Sequence, residues 1–330
     1  MTAFKVMTWN VENLFLPGQQ SGSKTEAEYQ AKLRNLANVI LAIDPDVLGL
    51  QEIGDEAALQ ALNALLENRY PHTYVAQSLN SRIRVGFLSK LTIEEDEEIT
   101  DLPAGGLHKV VGYISEDNQR EIVQMSRAAV RILVKPQPDL PIHIINAHFK
   151  SKLLTFTSPT GASRFETNDE NERARVAGLA LLLRTAEAIA VRVKVNQLLA
   201  QNSGDAVIIL GDLNDTPSAA TTQILQGPTG SEIGTNGFKL PDKGDPMRLF
   251  NLAARIDEKR RYSRIYRGNQ ELIDHIFVSE RLLPGLPRRL PIVDSYLEST
   301  DTVPSIDDNP SLRSGKPSSD HLPIVATFDL

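Results

Sequence analysis

The chain has 330 residues, 41% hydrophobic and 23% charged, with a mean hydropathy of -0.22, an ordinary globular composition with enough length for a large core. This excludes a coiled coil, a disordered tail and a small disulfide scaffold, and the absence of cysteine excludes thiolate metal sites and a cysteine nucleophile. Thirty-five Lys and Arg against 42 Asp and Glu give a net charge of -7, so contact with nucleic acid or anionic lipid has to come from a local patch.

The first residues lack the basic start, apolar core and small-residue cleavage site of a signal peptide, and no apolar run nears the length of a membrane span. The chain therefore reads as cytoplasmic and free of membrane. The stretch 4–9 is an apolar run of strand formers that ends at Asn10 and feeds a Gly/Ser/Gln loop over 17–24. Thr25 with Glu28 forms a capping box, and Leu33, Leu36, Ala37, Ile40 and Leu41 follow at helical spacing until Asp44-Pro45. A second buried strand covers 46–51 and ends at Glu52; Asp55 then caps an amphipathic helix to residue 68. Strand patterns recur around Tyr74, at 85–88, at Ile93, at 130–134 and at 142–147.

Asn168-Asp169 opens a long helical pattern to residue 202, although Val191, Val193 and Val195 alternate as a strand would. A strand at 207–210, a helix capped by Pro217, a loop over 227–244, strands near 264–267 and 272–278 and a last strand at 324–328 complete the chain. The Ser-, Pro- and Asp-rich stretch 299–319 is the candidate lid. With no internal repeat and no dividing linker, residues 1–330 are expected to form a single α/β domain.

Acidic, amide and imidazole side chains stand just past these strands: Asn10 and Glu12, Gln51 and Glu52, His148, Asp212 and Asn214, Asp274 and His275, Asp320 and His321. Strands entering a sheet in a common orientation bring such ends to one edge, where α/β folds place their sites. Singly, each Asp or Asn is explained as a turn former; as a set they are not. A hard divalent cation wants carboxylate and amide oxygens, which makes Glu52, Asp212, Asp320 and Glu12 the candidates. His321, with Asp274 to orient it, is a candidate general base near neutral pH. His148 is a further site candidate, whereas His72, His108 and His143 read as surface or strand positions and alternation points His275 to the opposite face. The loop 18–25 imitates a phosphate-binding Walker loop, but Ser23 stands where Gly must precede Lys, so the register fails. The acidic run 94–98 reads as a solvated strand or turn face.

Together, Thr8-Trp9-Asn10-Val11-Glu12-Asn13-Leu14, Leu50-Gln51-Glu52, Asn146-Ala147-His148, Leu210-Gly211-Asp212-Leu213-Asn214-Asp215, Leu272-Ile273-Asp274-His275-Ile276 and Ser319-Asp320-His321-Leu322-Pro323 resemble the endonuclease/exonuclease/phosphatase superfamily, with its deoxyribonuclease I-like fold. Their order spans residues 8 to 323. The resemblance implies a four-layer α/β/β/α sandwich of two mixed sheets flanked by helices, cleaving phosphate esters with Mg²⁺ or Mn²⁺. By that resemblance Glu52 is the principal metal ligand, with Asn10, Glu12 and Asp320 as direct or water-mediated ligands. Asp212 and Asn214 position water and the phosphoryl oxygens, Asp274 and His321 form the Asp-His pair, and a protonated His148 donates to the scissile phosphate. Whether His321 or Asp212 activates the water stays open.

The elements Asn10 to Phe15, His148-Phe149-Lys150-Ser151-Lys152 and Arg261-Tyr262-Ser263-Arg264-Ile265-Tyr266 look most like uncharacterised bacterial nuclease-like members. Arg84, Lys150 and Lys152 are the candidate phosphate-binding cations; Arg164 follows in the segment after His148 and Arg82 and Arg127 lie on strands like Arg84, whereas Arg173 and Arg175, on a helix, read as solvated surface cations. The expected function is a metal-dependent nuclease acting on nucleic acid, with hydrolysis of a small-molecule or lipid-headgroup phosphate ester as the alternative. A catalytically dead scaffold would be expected to have lost one of Glu52, Asp212, Asn214 or His321, and all are present. A monomer is compatible with the chain.

Overall fold

A computed structural model of the protein describes residues 3–19, 22–79, 81–103, 110–115, 118–157, 163–202, 204–227, 230–240, 247–283, 292–295, 303–307 and 310–330. Two six-stranded sheets carry the architecture. The first runs in the order Ile292–Ser295, Ile324–Asp329, Ala3–Leu14, Val47–Ile53, Arg84–Ser89, His72–Val75. The second runs Leu249–Asn251, Asp274–Ser279, Ala206–Asp212, Leu140–His148, Gln124–Gln137, Glu95–Asp101. Each holds one parallel pair, Ala3–Leu14 with Val47–Ile53 and Leu140–His148 with Ala206–Asp212, and is otherwise antiparallel, so both sheets are mixed.

Alternation explains how they stack. Inward residues of the first sheet, among them Val6, Val47 and Phe87, share a buried core with Val130, Ile144, Ile208 and Ile276 of the second. Outward residues Met7, Trp9, Leu48 and Leu50 pack under the helices α1 (Glu26–Ile43) and α2 (Glu56–Leu65). On the other side Ile145, Val207, Ile209 and Phe277 pack under α3 (Glu170–Gln201). The layers are therefore helix, sheet, sheet, helix.

Thr25 caps α1 with the reciprocal Glu28 box, and Asp55 caps α2, as their spacing requires. Several boundaries differ from the pattern. The first strand continues past Asn10 to Leu14, through a register break where Glu12 and Asn13 take positive φ. The second helix stops at Leu65, because Glu67 and Asn68 turn to φ of 56° and 52°. The short α4 (Ala220–Gln226) starts after Ala219 rather than at Pro217 and has no side-chain cap. All of α3 is helical to Gln201: Ala188, Val191, Val195 and Leu198 recur at helical spacing and are buried, while Val193 is 40% exposed. The acidic run lies on the edge strand Glu95–Asp101, where Glu95 and Glu97 hold Arg131 and Glu98 accepts from Tyr74, Gln77 and Ser78, so it is more than a solvated face.

The described part of 299–319 is a docked wall. Ser305–Ile306 pairs in parallel with the strand Arg264–Tyr266, and a short turn over Pro310–Arg313 brings Arg313 onto Glu12. The remainder of that stretch, like His108, lies outside the described residues. No helix among the described residues is long and apolar enough to cross a membrane.

Candidate active site at the shared strand ends

The inward face that is apolar through most of the sandwich turns polar near one end. Val6 gives way to Thr8 and Asn10, Gly49 to Gln51, Ile144 to Asn146 and His148, and Leu210 to Asp212, all with period 2. Gln51 Nε2 donates to Asn146 Oδ1 across the two sheets at 2.7 Å and to Thr8 Oγ1 at 3.0 Å, and Asn146 Nδ2 donates to the carbonyls of Leu50 and Gly86. This layer, satisfied except at the buried Gln51 Oε1, ties the sheets together directly beneath the cluster.

Above it, Asn10 Nδ2 donates to Glu52 Oε1 at 3.1 Å and to Asp212 Oδ2 at 3.0 Å, so one amide gathers carboxylates from both sheets. His148 Nε2 stands 3.5 Å from Asp212 Oδ2 and His321 Nε2 4.0 Å from it. His321 Nδ1 and Asp274 Oδ2 are 2.7 Å apart, which leaves Nε2 turned toward Asp212. Asn214 donates its backbone N–H to Asp212 Oδ1 and its side chain to the Phe149 carbonyl.

The backbone is strained to make these contacts. Of the eight non-glycine residues with positive φ among the described residues, Glu12, Asn13, Glu52 and Asn214 lie here, each at a cost of about 1–3 kcal/mol. Gly211 has φ of 145°, and a Cβ there would lie 1.8 Å from the Ala147 carbonyl oxygen, so only glycine lets Asp212 and His148 sit side by side.

Burial sets the electrostatics. The Asp212 carboxyl is pushed up to about 6 by burial and by Asp274, against the pull of His321, Asn10 and Arg264. Burial pushes His321 down, but Asp274, Asp320 and Asp212 more than reverse it and hold the imidazole at about 10. His148, fully buried beside Arg127, His321 and Lys150, is driven well below 6.5 and is a neutral imidazole. That direction runs against the expected protonated His148, since desolvation and three neighbouring cations all oppose a second proton.

The expected ligands separate into two kinds. Glu52 and Asp320 keep accessible carboxylates, and Asp320 makes no hydrogen bond among the described residues. Asn10 uses Nδ2 on the two carboxylates and Oδ1 on the Glu12 N–H. Glu12 is gripped at both oxygens by Arg313, at 2.8 and 2.6 Å, and burial pushes its carboxyl up to about 7. It enters the site as half of an ion pair rather than as a free ligand. Asp212, Asp274 and His321 also offer ligand atoms within 4.8 Å of one another. The short Asp274–His321 contact makes that couple an imidazole and its orienting carboxylate, leaving Glu52 and Asp320 as the oxygen donors of the kind that suits a hard divalent cation.

The three expected phosphate-binding cations are committed elsewhere. Lys152 pairs with Asp215 at 2.9 Å, alongside Arg184 and Thr221. Lys150 Nζ caps the loop carbonyls of Ser151 and Leu153, and Arg84 donates to the Gly54 carbonyl. Arg127 likewise holds the carbonyls of His148 and Phe149. His275 is buried on the opposite face, as alternation indicated, between Asn251 and the Asp215 carbonyl.

Four residues escaped the sequence reading. Lys32, on the inner side of α1, is 3% exposed, and Glu12, Asp320 and Glu52 all act on its ammonium. Arg313 reaches Glu12 across 301 residues. Ser263 accepts from the N–H groups of Ile273 and Asp274, and Ser319 donates to the Asn10 carbonyl while accepting from His321 N–H. The buried Lys32 carried one signal, as a charge in the apolar stripe of a helix.

Residues 7–321 match the Endonuclease/Exonuclease/phosphatase family. The chain belongs to that family. Its fold is similar to that of D. rerio TDP2 complexed with single strand DNA product, at 15% identity and a TM-score of 0.53, over 100% of both chains. It is similar to the human Nocturnin catalytic domain with bound sulfate anion, at 13% identity and a TM-score of 0.54, over 99% of this chain and 94% of that one. It is also similar to Sphingomyelinase C from Streptomyces griseocarneus, at 16% identity and a TM-score of 0.54, over 100% of both chains. These likenesses show the shared two-sheet fold. Among curated proteins none matches the chain. Membership of the Endonuclease/Exonuclease/phosphatase family implies a phosphoesterase hydrolase, and the gathered carboxylates fit the divalent metal such enzymes use.

Proposed function

We propose that residues 1–330 form one catalytic unit, a nuclease that hydrolyses phosphodiester bonds by in-line attack of water with Mg²⁺ or Mn²⁺. The observation that carries this reading is the convergence on Asp212 Oδ2 of Asn10 Nδ2 at 3.0 Å, His148 Nε2 at 3.5 Å and His321 Nε2 at 4.0 Å. Glu52 and Asp320, with Asn10 beside them, would hold the cation, which when bound withdraws charge from a phosphoryl oxygen. Asp212, a carboxylate held close to neutral pH by burial, accepts the proton of the attacking water. His321, kept protonated by Asp274, donates to the oxygen on which charge develops; neutral His148 and Asn214 orient the phosphoryl group. A single-stranded substrate is supported by the likeness to a relative crystallised with a single strand DNA product.

The small-ester alternative has one observation in its favour. Arg84, Lys150 and Lys152 are bound to the protein itself, which leaves fewer cations to follow a polymer. The deciding experiment is Mg²⁺- or Mn²⁺-dependent hydrolysis of single-stranded DNA, supercoiled plasmid, RNA and bis-p-nitrophenyl phosphate beside Glu52→Ala and His321→Ala. Polymer cleavage lost in both variants is the expected result. Turnover of the small ester alone selects the alternative, and activity surviving both variants refutes the site.

A further inference from the structure

Arg264 begins the three-residue strand Arg264–Tyr266, which pairs with Asn269–Glu271 and with Ser305–Ile306 in a small sheet beside the site. Its backbone bridges to His321, and the preceding Ser263 receives N–H donors from Ile273 and Asp274 through Oγ and from Leu322 through its carbonyl. Arg264 is thus tied to His321 through its own main chain and to Asp274 through the hydroxyl of the preceding Ser263. Its side chain is 14% exposed, and Nη2 donates to Glu271 Oε2 at 2.7 Å. The charge of the guanidinium acts on Asp212 and on Asp320, which flank the reacting position from two strand ends. Nε, by contrast, is buried and has no acceptor among the described residues.

A buried guanidinium with a purely structural role is expected to have its Nε satisfied, because an orphaned donor is costly. Here Nη2 is anchored on Glu271, Nε on the same edge of the fork has no acceptor among the described residues, and the charge acts on Asp212 and Asp320, two of the carboxylates proposed to handle metal and water. A planar fork of this kind matches two oxygens of a phosphoryl group. Lys150 and Lys152, in contrast, have their ammonium groups on carbonyl or carboxylate oxygens, and Arg84, whose Nε is likewise unpartnered, is not among the main charges that act on Asp212.

On these grounds we propose that Arg264 is a substrate-binding residue that donates to a non-bridging oxygen of the phosphoryl group under attack. The assignment rests on the phosphoesterase reading above. It is tested by kinetics on bis-p-nitrophenyl phosphate and a single-stranded DNA oligonucleotide, and by calorimetric titration of inorganic phosphate into the Mn²⁺-loaded protein, for wild type, Arg264→Ala and Arg264→Lys. Arg264→Ala is expected to lower kcat/KM about 100-fold on both esters and to weaken phosphate binding at least tenfold. Arg264→Lys, which keeps a point charge without the fork, recovers part of both. Unchanged kcat/KM on the small ester with unchanged phosphate affinity overturns the assignment, as does a loss confined to the oligonucleotide, which would put Arg264 on a neighbouring phosphate. Where the alanine variant unfolds early in a thermal melt, the lysine variant carries the same comparison. If wild type hydrolyses neither ester, the functional reading fails separately, and the phosphate titration alone decides Arg264.

Discussion

Among the described residues, two buried histidine–aspartate contacts of hydrogen-bond length lie at opposite ends of the second sheet. His321 meets Asp274 at 2.7 Å at the site, and His143 meets Asp205 at 3.1 Å near the start of the strand Leu140–His148, about 16 Å along the strand from His148 at 3.3 Å per residue. By contact distance and burial they are near twins. What separates them is the second ring nitrogen. Arg131 Nη1 donates to His143 Nδ1 at 3.0 Å, so that ring is saturated and burial holds it neutral, below 6.5. His321 keeps Nε2 turned toward Asp212 without a hydrogen bond, and Asp274, Asp320 and Asp212 around it raise it to about 10. An imidazole beside a carboxylate is therefore a site only where a nitrogen remains free and the surrounding charge favours a proton.

The sharpest way to break this contrast is truncation. His321→Ala is expected to lower kcat by at least about 10³-fold, while His143→Ala leaves kcat within about twofold, both measured on the best phosphodiester substrate. Comparable losses in the two variants would end the distinction. Removing the carboxylates gives a smaller effect in the same direction: Asp274→Asn lowers kcat about 10²-fold by releasing His321, whereas Asp205→Asn acts on stability alone. The cost of that second change, about 1–3 kcal/mol for weakening a buried partner, is readable in urea melts.

Titration sharpens the comparison without any substrate. In metal-free protein, imidazole NMR should find His321 protonated and His143 neutral at pH 7; the reverse order would mean that the local carboxylates do not dominate. The smallest effect is on acid stability. His143 is depressed below its ordinary 6.5 in the fold, so its contribution is complete above 6.5. As the pH falls further the unfolded chain takes the proton first, and stability is lost. His143→Gln should flatten the fall in Tm between pH 6.5 and 5 in part, the remainder belonging to His148 and His275, which burial also holds neutral.

Much of the site was readable along the chain because the signals are local. Alternation in Val6-Met7-Thr8-Trp9-Asn10 and Ile144-Ile145-Asn146-Ala147-His148 shows which side chains share the inward face, and it put His275 on the other side from Asp274. The helix caps at Thr25 and Asp55 and the apolar runs set the layers in the same way. Cations were harder. A lysine after a strand looks the same whether it faces a phosphate or Asp215, and only the docking of α3, through Arg184 on Asp215 and Glu187 on the Lys150 N–H, shows that this loop is braced from behind.

The residues alone determined the central strands and the long helices, though not the edge strands Leu249–Asn251 and Ile292–Ser295, together with the inward parity of Asn10, His148, Asp212 and Asp274 and the hard, oxygen-rich character of the cluster. The tertiary structure decided which charges remain available. Glu12 meets Arg313 across 301 residues, Asn10 meets Asp212 across 202, and His321 meets Asp274 while His143 meets Arg131. The reason is physical: side-chain direction along a strand follows from two soft dihedrals per residue, whereas a side chain's partner and its proton depend on desolvation and on charges that only the packed sheets bring within a few ångströms.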